Sequence, residues 1–231
     1  MTPHGQNIIV LDLETLHSAA DCVSCEEPMA AHARGNELIC AGYEAIGWHD
    51  HRALGLSIGC LYDYADGRFW FFDQHTLRAT MHRLIVRQPL LVTYNGKQFD
   101  LPLMLACVDD AVTTDGEPAT DLPMQWYALR DASYDLLHEI WQVDPVSKFQ
   151  KGNGLDAVSQ ANGYGAKEID GSAAPRLWAQ GRYAEVINYC ASDVWKTRLL
   201  FEQVCRGEPL KRPAGPVLLP LPSLLTEETT P

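Results

Sequence analysis

Positions 8–11, Ile8 to Leu11, are apolar without a polar break and read as a central buried strand, drawn over residues 7–13. Asp12 and Glu14 close that run. Side chains alternate along a strand, so both carboxylates point the same way. Residues 17–53 lose all sustained periodicity and read as an insertion. "LGLSIGCLYDYADGRFWFFD" (54–73) predicts two strands around a turn at Asp66-Gly67. "HTLRATMHRLIV" (75–86) has helical spacing at Leu77, Met81, Leu84 and Ile85. "PLLVTYN" (89–95) predicts a short buried strand, and "FDLPLMLACV" (99–108) a helix with Pro102 in its first turn.

Residues 109–131, rich in Asp, Thr and Pro, read as an irregular loop. "SYDLLHEIWQV" (133–143) starts as a strand or turn and becomes helical, and a further helix spans about 155–161 before Asn162-Gly163. The strongest helical pattern is 182–205, with Val186, Cys190, Val194, Thr197, Phe201 and Val204 on its apolar face. From Gly207 on, prolines without periodicity predict a disordered tail or linker over 207–231. The element order describes one α/β domain over 1–206, with a mixed sheet flanked by helices.

The 231 residues, 46% of them hydrophobic, are ample for one core. No apolar stretch is long enough to span a bilayer. The start "MTPHGQN" lacks a signal-peptide pattern, so a cytoplasmic, membrane-free protein is expected. The net charge of −12 has the wrong sign for broad phosphate contact, yet it suits a protein that recruits cations. It predicts weak, non-processive nucleic-acid binding unless a partner helps. Seven cysteines argue against a disulfide framework. Cys60, Cys107, Cys190 and Cys205 sit in apolar patterns and read as packing.

Three segments end or carry an element on acid: Asp12-Leu13-Glu14; "YNGKQFD", with Asn95, Phe99 and Asp100; and "YCASD", with Tyr189 and Asp193 four apart on one helix face. If they converge, four carboxylates surround one cavity, and only bound cations make that tolerable. An all-oxygen set favours magnesium or manganese over zinc.

These segments, in this order, resemble the three exonuclease motifs of the DEDD superfamily. Tyr189, in its Tyr-x3-Asp spacing, marks the DEDDy branch; the histidine branch would carry its histidine where Asn188 stands. "YNGKQFDLPLM" looks like the second motif of the proofreading domains of family-B DNA polymerases and their stand-alone relatives. "YDLLHEI" followed by "GLDAVSQANGYG" is similar to the connecting region of that group. The resemblance covers roughly 7–205 apart from 17–53 and 109–131. It implies a ribonuclease H-like fold and a two-metal 3′→5′ exonuclease using two magnesium or manganese ions. Asp12 would bridge the ions, Glu14 and Asp193 would complete one shell, Asp100 would hold the second ion, and Tyr189 would orient the attacking water. The family places nucleotide contacts at Thr15 and Leu16. Asn95, Lys97 and Phe99 are further substrate candidates, and Lys148, Lys151 and Lys196 could touch phosphates or be solvated surface charges. Asp135 reads as structural. The implied substrate is a single-stranded 3′ end, DNA ahead of RNA, with a separate polymerase or helicase as partner. The other reading is a nuclease-like binding module of a replication or repair complex.

The insertion holds Cys22-x2-Cys25-x6-His32-x7-Cys40, the ligand types and number of one closed structural zinc site. A short insertion lacks a core of its own, and a metal would supply its folding energy; His49 and His51 are alternative ligands or ordinary polar residues, and the other reading is a loop with three reduced cysteines. Protein purified without chelator is therefore expected to carry zinc near a 1:1 ratio by elemental analysis; a ratio near zero removes the site.

Overall fold

The computed structural model describes residues 3–22, 33–34, 37–38, 44–108, 121–166 and 171–226. Five strands form the main sheet: β1 (Ile8–Thr15), β4 (Leu56–Asp63), β5 (Arg68–Phe72), β6 (Leu90–Thr93) and β7 (Tyr134–Asp135). The strands β2 (Ala33–Arg34) and β3 (Glu37–Leu38) pair as a separate ribbon. The sheet order is β5-β4-β1-β6-β7. β1 is central, antiparallel to β4 and parallel to β6.

Because β1 is covered on both faces, its apolar run is continuous rather than alternating. Its even-numbered residues, Ile8 and Val10, join the core under the long helix, with Val186, Cys190, Val194 and Phe201. Its odd-numbered residues, Ile9, Leu11 and Leu13, join the opposite core with Leu77, Met81 and Leu101. The nine helices among the described residues are α1 (His51–Leu54), α2 (Leu77–Arg87), α3 (Asp100–Cys107), α4 (Leu122–Ala132), α5 (Leu136–Val143), α6 (Leu155–Ala161), α7 (Ala174–Ala179), α8 (Tyr183–Cys205) and α9 (Ser223–Thr226). None is long and apolar enough to cross a membrane among the described residues.

Two expectations are corrected. Part of the expected 109–131 loop is helix α4, set by Pro123 in its first turn and by Trp126 and Leu129, three apart and buried. The Trp126 indole N–H donates to the Leu101 carbonyl at 2.8 Å, which docks α4 on α3. The remainder, 109–120, lies outside the described residues.

The second correction is the tail. Residues 207–226 are packed, not disordered. Leu210 and Val217 form a bridge, and Leu210, Val217, Leu219 and Leu225 are buried in the α8-side core. Arg212 is buried, donating to Asn153 Oδ1 at 3.1 Å and to Asp144 Oδ2 at 3.0 Å. Tyr134 donates its hydroxyl to the Pro220 carbonyl at 2.7 Å. Prolines suit this extended strap because it needs few backbone donors.

Of the expected zinc ligands, only Cys22 falls within the described residues. It is buried and pairs with Ala45 across the base of the insertion. Cys25, His32 and Cys40 lie outside them.

Ending the chain at Arg206 strips four buried aliphatic side chains from the core. The melting temperature is expected to fall by at least about 5 °C in a thermal scan. An unchanged midpoint would show that the strap contributes nothing to the fold.

Candidate active site

β1 sets the site. The face that presents Ile8 and Val10 to α8 continues as Asp12 and Glu14, so the apolar core turns acidic along one strand. The register with β4 breaks between Glu14 and Thr15, as Glu14 pairs with Ile58 and Thr15 with Leu56. The Ser57 hydroxyl donates to the Glu14 carbonyl at 3.0 Å and pins the bulge. Pairing with β6 covers only Ile8–Val10, so the end of β1 is released from that neighbour. There the Leu13 amide hydrogen-bonds the Asp100 carboxylate.

Asp100 is the first residue of α3, where a carboxylate suits the helix N-terminus. The turn before it is held by Asp135. Its two oxygens accept from the Asn95 and Lys97 amides, each at 2.9 Å, and Oδ1 also accepts from the Leu137 and His138 amides that start α5. Asn95 takes the left-handed conformation this turn needs, with φ 71°. Asp135 thus has the structural role read from the sequence.

α8 contributes Tyr189 and Asp193 from one face, both buried. A Cβ on Gly171 would lie 3.0 Å from the Tyr189 hydroxyl oxygen, so glycine leaves the space that group occupies. Asp12, Glu14, Asp100, Tyr189 and Asp193 all line one open cleft of about 200 Å³. Thr15, Asn95 and Phe99 line it as well, whereas Leu16 and Lys97 do not. Leu16 turns toward Gly55, and the Lys97 ammonium donates to the Asp131 carbonyl at 3.2 Å.

Several groups at the site escaped the sequence reading. Cys190 reads as packing, yet its sulfur and carboxylate oxygens of Asp12 and Glu14 lie within 4.8 Å of one another. Its thiol donates to the Asp12 carbonyl at 3.5 Å. Burial, then the bond to Cys60 and the nearby carboxylates push its pKa upward, so it stays a neutral thiol. The signal was its place on α8, three residues before Asp193. Lys196 is not a surface charge: its ammonium reaches Asp193 Oδ1 at 3.4 Å, and both side chains are 4% exposed. Trp48, inside the aperiodic insertion, lines the cleft and meets Phe99 edge-on at 6.0 Å between ring centroids. No local pattern announced it.

Burial makes charge costly at Asp100. The Asp100 carboxyl is pushed up to about 7, first by burial and then by Asp135 and Asp193, with the Leu13 amide opposing. An acidic, all-oxygen set in that state fits a hard divalent cation, which would offset the repulsion.

Residues 68–208, more than half of the chain, match a family described as predicted 3′-5′ exonucleases related to the exonuclease domain of PolB, and the chain belongs to that family. Asp100, Tyr189 and Asp193 fall inside the matched segment, and Asp12 and Glu14 precede it. No protein of curated function matches the chain.

The raised value of Asp100 has a definite consequence for stability. The folded state holds an extra proton between the unfolded carboxyl value near 4 and the folded value, so metal-free stability falls as pH rises through that window. Asp100→Asn removes the penalty. In chelator it is expected to stabilise the fold by about 2–4 kcal/mol at pH 8 and by little at pH 4. Thermal melts at the two pH values check this; a variant less stable than wild type at pH 8 contradicts it.

Proposed function

We propose that the protein is a DEDDy-type 3′→5′ exonuclease of ribonuclease H-like fold that hydrolyses single-stranded 3′ ends, DNA in preference to RNA. The observation that carries the reading is the meeting of Asp12, Glu14, Asp100, Tyr189 and Asp193 in one cleft. The mixed sheet supports the fold, with a central strand antiparallel to one neighbour and parallel to the other. The relation to polymerase-associated exonucleases supports DNA as substrate and a separate polymerase as the protein served.

Asp12, Glu14 and Asp193 would hold one divalent cation, and Asp12 with Asp100 a second, either magnesium or manganese. Bound there, the cations would supply a water of lowered pKa and stabilise charge on the attacking and leaving oxygens. The protein's own groups do the rest. The Tyr189 hydroxyl, with a free pKa near 10, hydrogen-bonds and orients the attacking water without deprotonating it. The neutral Cys190 thiol sits against Asp12 and adds no further negative charge to the site. Phe99 and Trp48 at the rim offer ring faces and edges to the terminal bases. The Lys196 ammonium holds Asp193 in place from the buried side. A scaffold that only bound partners would have no use for so costly a cluster.

Asp12→Ala and Asp193→Ala are each expected to lower hydrolysis of end-labelled single-stranded DNA about a thousandfold or more, since a lost metal ligand removes several kcal/mol of transition-state stabilisation. Wild-type activity should require added magnesium or manganese and release nucleotides from the 3′ end. Digestion that proceeds equally in EDTA contradicts the reading.

A further inference from the structure

Phe149 is 88% exposed, the most exposed large apolar side chain among the described residues. It ends a short 3₁₀ turn, Pro145–Phe149, and stands between Lys148 and Lys151, both exposed. These are two of only six lysines in a chain of net charge −12. Lys148 lies over the Trp141 ring, 5.6 Å from its centroid. The neighbouring acid, Asp144, is already engaged by Arg212. An exposed ring flanked in sequence by two exposed lysines is the chemistry that holds a single nucleic-acid strand: the face stacks on a base and the ammonium groups meet phosphates.

The segment is built rather than loose. Ser147 and Asn153 are buried, and Asn153 Nδ2 donates to the Ser147 carbonyl at 2.8 Å. Arg212 from the strap closes the far side through Asn153 Oδ1. Gly152, at φ +96°, leaves room for Pro213, which a Cβ would approach to 3.0 Å. The segment is also tied to the cleft, because the Tyr94 hydroxyl, on a cleft-lining residue, donates to the Asn153 carbonyl. Phe149 is four residues from Asn153, so at most about 14 Å of chain separates it from that anchor.

We infer that Lys148, Phe149 and Lys151 form a grip for the single strand outside the catalytic cleft, binding nucleotides upstream of the 3′ end. The grip rests on the exonuclease reading for its substrate, but its test does not depend on turnover. Binding of fluorescent oligothymidylate is measured by anisotropy with magnesium present, in an Asp12→Ala background that leaves the strand intact. Adding Phe149→Ala should weaken binding about 5- to 150-fold, the range for losing one stacked base. Adding Lys148→Gln and Lys151→Gln together should weaken binding and flatten the plot of log affinity against log salt by about 1.4. Affinities within twofold of the parent with an unchanged salt slope overturn the grip, as does a parent with no measurable binding. A surface that serves a protein partner instead gives the first of those results. Hydrolysis of end-labelled DNA by the wild-type chain judges the exonuclease reading separately: turnover with unmoved binding sinks the grip alone.

Discussion

Repulsion among carboxylates drawn out of water is the constraint around which this molecule is arranged. Asp12, Glu14, Asp100 and Asp193 come from a strand, a helix start and a long helix, and no local interaction favours their meeting. They are brought together by the two cores on either side of β1, whose apolar burial fixes strand and helices irrespective of what their ends carry. The protein offsets part of the cost internally. Leu13 gives Asp100 an amide, Lys196 gives Asp193 a buried ammonium, and Asp135 spends its own charge on four backbone donors. A divalent cation in the cleft would offset more of the repulsion.

That arrangement links stability and function in opposite directions. A buried acid with a raised pKa weakens the metal-free fold above the usual carboxylate range, and it is the same acid a cation would use. The strap after α8 is tied in far from the acids: Arg212 bonds Asp144 and Asn153 on either side of the 3₁₀ turn, and Tyr94 joins Asn153 to the cleft.

Much of this was legible in the sequence, for physical reasons that differ by element. β1, the β4–β5 hairpin, α2, α3 and α8 announce themselves because their burial pattern is periodic or continuous along a local stretch. The acidic residues stood out because each closes or interrupts an apolar run, where charge is costly. α4 was hidden by its Asp- and Pro-rich flank, although Leu122, Trp126 and Leu129 keep helical spacing. The strap was misread because composition stood in for contacts: Arg212 finds Asn153, 59 residues away, and no local pattern encodes such a partner. Cys190 looked ordinary for the same reason, and Lys196 because its burial beside Asp193 depends on what packs around α8. Their meaning comes from Asp193 and Asp12, one a helical turn away and the other on a different element. Trp48 reaches the cleft through a segment with no periodicity to read.

The central claim is that three distant pieces of chain make one seat for divalent cations. Anomalous diffraction from crystals grown with manganese tests it most directly. The account predicts two strong peaks roughly 3.5–4 Å apart, one against Asp12, Glu14 and Asp193 and the other against Asp12 and Asp100. A cleft with ordered manganese elsewhere on the protein but none among these carboxylates would contradict it.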